Sequence, residues 1–185
     1  LAQVDAQYRD KKTRLNALGR DEKNLNNLLD KLQRLMAQKP VQATPRNSRK
    51  TPGKPLPMVP MSPMRLPVQG SVLAGFGGSM PDGHRSDGLL IAGNIGAEVR
   101  AVAAGRVAYA DWLKGYGLLL IVDHGNGWMS LYAFNDSLLK NVGDSVKTDD
   151  AIATLGRSGG QSSPALYFEL RQNGQPKDPR VWLKP

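Results

Sequence analysis

Residues 117–133 read GLLLIVDHGNGWMSLYA, two apolar runs separated by Gly125-Asn126-Gly127. A continuous apolar run that ends in turn residues is typical of a buried strand, and Asn-Gly between two such runs is the strongest short-range hairpin signal. The stretch therefore predicts a β-hairpin. Further strands are predicted at 151–155 and 166–171, and residues 99–111 are predicted to form a strand, a turn at Gly105 and a second strand.

Short strands at this spacing, with no helical pattern among them, indicate a sandwich or barrel of β-sheet from residue 66 to residue 185. The fold class is therefore mainly β. Its predicted core consists of Val99, Val107, Leu119, Val122, Leu131, Ile152 and Phe168.

The segment before this domain carries a heptad repeat. Nine of eleven positions spaced alternately by three and four are apolar across 1–39, and Lys11 and Glu22 interrupt them. A sustained 3.5-residue repeat favours a coiled-coil seam. We expect residues 1–39 to be the C-terminal part of a coiled coil, and a helix packed on its own domain remains the alternative. The apolar positions are Leu1, Val4, Tyr8, Leu15, Leu18, Leu25, Leu29, Leu32 and Met36.

Residues 40–65 contain seven prolines and five basic residues but no acidic residue. Proline at this density excludes helix interiors and central strands, so the segment is predicted to be an extended basic linker. Of the net charge of +9, +4 lies on 1–39 and +5 on 40–65, and the β domain is neutral. Since no strand interleaves basic and aromatic residues, we expect no nucleic-acid partner.

Composition excludes several classes of site. The chain of 185 residues has no cysteine, which rules out disulfides, thiolate nucleophiles and cysteine-ligated metals. No apolar run approaches the roughly 20 residues of a membrane span.

Eight motifs between residues 67 and 183 occur in an order that resembles the LytM/M23 family of zinc metallopeptidases, the peptidoglycan endopeptidase fold. They are Gly88–Gly93, Gly96–Val107, Gly115–Gly117, Asp123–Gly127, Ser130–Ala133, Val142-Gly143, Gly156–Gly159 and Leu166–Arg171. The resemblance implies zinc held by an HxxxD motif and by the second His of an HxH motif, with a further catalytic His.

This sequence departs from the family at each of those positions. The HxxxD positions are Ser86 and Leu90, the two HxH histidines are Ala165 and Tyr167, and the other catalytic His is Phe134. Apolar side chains cannot ligate zinc, and neutral hydroxyls are poor ligands. The resemblance therefore implies a domain that is not an enzyme and holds neither a metal nor another cofactor.

Apolar and aromatic residues replace the metal site, and we expect them to form a groove that binds a helix, with Arg171 near its edge. The predicted groove residues are Leu90, Tyr116, Leu119, Phe134, Tyr167 and Arg171. For Leu119 and Phe134 a plain core position is equally open.

Two histidines allow other interpretations. His84 and Asp87 form an HxxD pair that suggests a shifted zinc site, although a third ligand is missing. His124, just before Gly125-Asn126-Gly127, is predicted to stabilise the turn by a hydrogen bond.

A coiled coil, a linker and a degenerate LytM domain together resemble the EnvC-type activators of cell-division amidases. This resemblance implies a periplasmic protein of a Gram-negative bacterium that is recruited to the septum. It would bind zinc-dependent N-acetylmuramoyl-L-alanine amidases through the groove and the FtsE–FtsX divisome complex through the coiled coil, thereby promoting septal peptidoglycan hydrolysis and daughter-cell separation. Asp87 stands where such activators are expected to have a basic residue.

Two alternatives stay open: a zinc-dependent peptidoglycan endopeptidase with a rearranged site, and a structural scaffold that binds peptidoglycan. Peptidoglycan is also a further partner that an activator could bind. The linker is long enough for it, or the helix before it, to cover the groove in a resting state.

Overall fold

The structure is a computed structural model that describes residues 23–36, 64–81, 83–159 and 161–184. Residues 23–36 are helical (α1), and twelve strands follow. They are β1 Met64–Arg65, β2 Val72–Ala74, β3 Leu89–Ala92, β4 Glu98–Arg100, β5 Gly105–Leu113, β6 Gly117–Gly125, β7 Trp128–Leu138, β8 Ser145–Val146, β9 Ala151–Leu155, β10 Ala165–Gln172, β11 Gln175–Lys177 and β12 Leu183–Lys184. A 3₁₀ turn, Pro179–Val181, precedes β12. In the described ranges, no helix combines the length and apolar character needed to cross a bilayer.

One large antiparallel sheet organises the domain, with strand order β2-β3-β10-β7-β6-β5-β8. The predicted hairpin is confirmed as β6–β7, in which Gly125 pairs with Trp128. Asn126 and Gly127 have φ of 53° and 80°, the left-handed pair that a two-residue hairpin loop requires. The mainly β fold class is therefore confirmed.

The interpretation of residues 99–111 needs correction. The first strand, β4, ends at Arg100 and pairs with β9, whereas β5 begins at Gly105 and pairs with β6 and β8. Gly105 is thus a strand residue. An added Cβ there would lie 2.3 Å from the backbone oxygen of Asp123, so glycine permits the close approach of β5 to β6.

The sheet buries two separate apolar clusters, and all seven predicted core residues are buried. The first cluster draws on the central strands and on the β4–β9 pair, which joins the sheet through β7, and includes Val99, Val107, Val122, Ile152 and Phe168. The second cluster, with Leu119 and Leu131, lies between the other face of the sheet and α1.

The domain begins earlier than residue 66. Met64 and Arg65 pair in parallel with Leu183 and Lys184, and the Met64 N–H donates to the Trp182 carbonyl oxygen at 2.8 Å. Met64 is only 4% exposed. The two residues assigned to the end of the linker are therefore part of the β domain, while 37–63 lie outside the described residues.

Helix α1 packs on the β domain through the positions assigned to a coiled-coil seam. Leu25 and Leu29 are fully buried, and Leu28, Leu32 and Met36 pack against the second cluster. In these residues the helix packs on the domain of its own chain, which is the alternative to a coiled coil that the sequence leaves open. The coiled-coil prediction for residues 1–22 lies outside the described residues.

Candidate functional site

The predicted groove residues come together on the face of the sheet that α1 covers. Leu90 on β3 pairs with Tyr167 on β10, which pairs in turn with Ala133 on β7. Leu119 on β6 and Phe134 belong to the same buried cluster, and Tyr116 in the β5–β6 turn packs against it. We call the surface formed by Leu90, Tyr116, Leu119, Phe134, Tyr167 and Arg171 the groove.

Three aromatic rings line the centre of the groove. The ring centroid of Tyr167 lies 6.1 Å from that of Tyr116 and 6.0 Å from that of Phe134. Phe134 has a φ of 66°, a left-handed conformation that costs a bulky residue about 1–3 kcal/mol. Its N–H donates to the Tyr116 carbonyl oxygen at 2.9 Å, which ties the strained residue to the β5–β6 turn.

A buried polar network lies beneath these rings. The Tyr167 hydroxyl donates to Glu169 Oε1 at 2.6 Å, and Arg171 Nε donates to Glu169 Oε2 at 2.6 Å. Glu169 is 1% exposed and Arg171 3% exposed. Sequence reasoning missed Glu169, although alternate positions of one strand share a face and Glu169 lies between two predicted groove residues.

Arg171, which the sequence predicted near the edge of the groove, is buried at 3% exposure. A buried guanidinium requires an acceptor for each donor that is removed from water, and Glu169 supplies one. This carboxylate is therefore the reason that Arg171 can lie inside the domain.

Burial and the ion pair shift the pKa values of this network. Burial raises the pKa of Glu169, and the Arg171 guanidinium opposes that shift. Burial and then the Glu169 charge raise the pKa of Tyr167, so its hydroxyl stays protonated and donates. For Arg171, burial is the largest single effect and lowers the pKa, but the charge and hydrogen bond of Glu169, together with the charges of Tyr116 and Asp87, raise it above its ordinary value, so the residue stays a cation. The charge of Asp87 contributes to raising the pKa of Tyr167, of Glu169 and of Arg171.

Helix α1 occupies the groove with two leucines and one polar contact. Leu25 and Leu29 are 0% and 2% exposed, and both pack in the groove cluster. Beside them, Arg171 Nη1 donates to Asn26 Oδ1 at 3.1 Å and to the Gly174 carbonyl oxygen at 3.1 Å. The groove is thus covered by a helix that is distant in sequence, since Asn26 and Arg171 are 145 residues apart.

The donor set at the positions that the resemblance assigns to zinc does not fit a zinc ion. The Ser86 hydroxyl donates to the Gly88 carbonyl oxygen at 2.8 Å and is 1% exposed. The phenol of Tyr167 is committed to Glu169, and burial raises its pKa away from the ionised form that would bind a metal. Leu90, Ala165 and Phe134 supply no donor at all.

The His84–Asp87 pair does not gain a third ligand. Within 23–36, 64–81, 83–159 and 161–184, no three His, Asp or Glu side chains are grouped so that they could hold a metal ion. Asp87 instead lies close enough to the groove for its charge to act on Tyr167, Glu169 and Arg171.

His124 does not bond the turn that it precedes. Its Nδ1–H donates to the Ala104 carbonyl oxygen at 2.8 Å, and its Nε2 accepts from the Ser130 hydroxyl at 2.7 Å. The hydroxyl oxygens of Ser130 and Tyr132 lie 2.9 Å apart, which extends the chain across β7. His124 is 8% exposed, and burial lowers its pKa, so it is a neutral structural link between β6, β7 and the residues before β5.

Two curated proteins are similar in sequence to this chain. The chain is 48% identical over 117 residues to the murein hydrolase activator EnvC of Escherichia coli K12, which covers 63% of this chain and 28% of that protein. It is 42% identical over 125 residues to the murein hydrolase activator NlpD of Salmonella dublin, covering 67% and 32%. The matched region thus spans about a third or less of the length of these two relatives.

Solved structures share the fold. A zinc-containing peptidase from Vibrio cholerae superposes with a TM-score of 0.59 and 25% identity, covering 67% of this chain and 40% of that one. The catalytic domain of lysostaphin from Staphylococcus simulans gives a TM-score of 0.57 and 26% identity, covering 62% and 92%. The profile of peptidase family M23 matches residues 84–179, just over half of the sequence. With the order of its strands and the placement of its groove, the chain belongs to peptidase family M23.

Proposed function

We propose that this protein is a non-catalytic activator that binds a zinc-dependent N-acetylmuramoyl-L-alanine amidase through the groove. The observation that carries the proposal is an apolar, aromatic surface with a helix seated on it, formed by residues that include those the resemblance assigns to zinc binding and catalysis. A surface that already binds an amphipathic helix has the shape and chemistry to bind another.

The relatives support this proposal by their names. EnvC and NlpD are named murein hydrolase activators, and each covers the β domain of this chain. Another relative, 40% identical over 118 residues, is named outer membrane antigenic lipoprotein B of Haemophilus influenzae. We infer from these names a role in the periplasm of a Gram-negative bacterium, with recruitment to the division septum through FtsE–FtsX and residues 1–39.

Helix α1 gives the activator a resting state. Leu25 and Leu29 occupy the apolar surface that the amidase would need, and Asn26 accepts a hydrogen bond from Arg171. The amidase and α1 therefore compete for one site, and any partner that draws α1 away from the domain raises the affinity for the amidase.

Calorimetric titration of a purified amidase into this protein tests the proposal. Tyr116→Ala removes a half-buried ring at the groove surface and is expected to weaken binding at least tenfold, the usual order for an interface anchor. Trp112→Ala, an exposed aromatic residue of β5, is the matched control and should leave binding unchanged. Equal affinity of both variants would refute the groove as the binding site.

A further inference from the structure

Arg171 directs one donor out of its buried network toward the groove occupant. Its Nε is used by Glu169, while Nη1 bonds both Gly174 and Asn26. Gly174 belongs to the β domain and stays when α1 leaves. Among the described residues, Asn26 is therefore the acceptor of this guanidinium that belongs to the occupant.

We propose that the groove selects a helix by an uncharged hydrogen-bond acceptor placed directly after one leucine and three residues before another, the pattern Leu25-Asn26-x-x-Leu29. This inference rests on the proposed function, since it names the chemistry of the segment that the amidase must present. The segment is an amphipathic helix with Asn or Gln, and not Asp or Glu, at the second position.

Helix geometry explains the spacing. Residues four apart lie on one face, so Leu25 and Leu29 enter the apolar groove together. The residue after the first leucine is rotated by about 100° and lies at the flank of that face. The contact between Asn26 Oδ1 and Arg171 Nη1 at 3.1 Å shows that a short amide side chain at this position reaches the guanidinium.

The need for an acceptor follows from the burial of Arg171. A guanidinium has five donors and no acceptor, and the side chain is 3% exposed with α1 in place. An occupant with an apolar side chain at this position would leave Nη1 bonded to Gly174 but would cover its second hydrogen without bonding it, which loses affinity. A lysine would place a second cation against the guanidinium.

The preference for an uncharged acceptor follows from the local charges. The buried carboxylate of Glu169 is already the counter-charge of Arg171, and the charge of Asp87 acts on the same network. Burial raises the pKa of Tyr167, so its phenol adds no charge. A carboxylate on the occupant would therefore approach Glu169 and Asp87 while Arg171 already has a counter-charge, whereas an amide bonds Arg171 without that repulsion.

Substitution within the full 185-residue chain tests the rule without an amidase. Asn26→Asp is expected to raise the amide hydrogen-exchange rate of α1 by about tenfold, the order of one like-charge repulsion near a protein surface. Asn27→Asp makes the same charge change on the neighbouring residue and should leave the rate within about twofold, since both asparagines are exposed and Asn26 is the one bonded to Arg171. Unchanged or slower exchange in Asn26→Asp would overturn the rule.

A second substitution separates the groove charge from repulsion within the helix. Asp30 lies four residues after Asn26 and repels a carboxylate there whatever the groove contains. Asp87→Asn leaves Asp30 in place, so it should restore most of the protection in Asn26→Asp only if the groove is the source of the effect. Failure of this rescue would contradict the charge argument.

Peptides tested in trans distinguish this inference from the proposed function. A chain carrying Leu25→Asp and Leu29→Asp should expose the groove, and far-ultraviolet circular dichroism checks that the β domain remains folded. A fluorescent peptide of residues 23–36 is expected to bind it about tenfold more tightly than the same peptide with Asn26→Asp. Equal or reversed affinities refute the rule, even if an amidase binds. If the peptides follow the rule while no amidase binds, the proposed function fails instead.

Discussion

Release of α1 from the groove should increase the affinity of the protein for its amidase. The perturbation is the double substitution Leu25→Ala and Leu29→Ala, which removes the two side chains of α1 that are buried in the groove at 0% and 2% exposure. Alanine has the higher helix propensity, so the helix itself is not weakened. The change acts on the docking of α1 and leaves the groove residues intact.

The magnitude follows from the burial of the two leucines. Replacing a buried leucine with alanine costs about 2 kcal/mol at the low end of its range, which suits a site on a domain surface. Two such losses shift the docking equilibrium by about 4 kcal/mol, or about a thousandfold. The apparent affinity for the amidase rises by the same factor until α1 is fully released, and no further.

Calorimetric titration measures this change, with Leu35→Ala as the matched control. Leu35 lies on α1 but is 50% exposed, so the same substitution removes little buried area. The double variant should bind at least tenfold more tightly than the control. An affinity that is unchanged or lower in the double variant would refute competition between α1 and the amidase, because groove residues are the same in all three proteins.

Three other predictions concern stability, each measured by urea denaturation. Burial lowers the pKa of His124 below its ordinary 6.5, so the unfolded chain takes up this proton more readily. The free energy of unfolding should therefore fall below about pH 6.5, by up to about 1.4 kcal/mol per pH unit, and a profile identical to that of His124→Gln would contradict this. Gly105→Ala should cost about 1–3 kcal/mol because its Cβ meets the Asp123 carbonyl oxygen at 2.3 Å, and an unchanged midpoint would show that β5 adjusts freely. Glu169→Gln should cost about 3 kcal/mol because Arg171 loses its buried counter-charge, and a cost below about 1 kcal/mol would mean that the pair is solvated.

The parts of the fold that were predictable depend on local rules. Asn126-Gly127 specifies a two-residue hairpin because both residues adopt positive φ, and apolar runs such as 118–122 specify strands that are buried on both faces. These rules need no knowledge of distant parts of the chain. For the same reason Gly105 misled the prediction, since its role is set by the backbone of Asp123 on the next strand.

The site was predictable only in its apolar part. Leu90 and Tyr167 were identified from the order of motifs, and the structure pairs them on neighbouring strands. The burial of Arg171 was not predictable, because it depends on Glu169 beneath it and on Asn26, which is 145 residues away in sequence. Charges that are neutralised in the interior appear in a sequence as ordinary surface residues.

Dye release from labelled peptidoglycan sacculi tests the central claim most directly. The account predicts that a latent zinc amidase releases little dye alone, that this protein releases none alone, and that the two together release dye rapidly. Tyr116→Ala in this protein should remove that stimulation while metal analysis of the amidase stays unchanged. Release of dye by this protein without any amidase, or no stimulation by either the full chain or its Leu25→Ala and Leu29→Ala variant, would contradict the account.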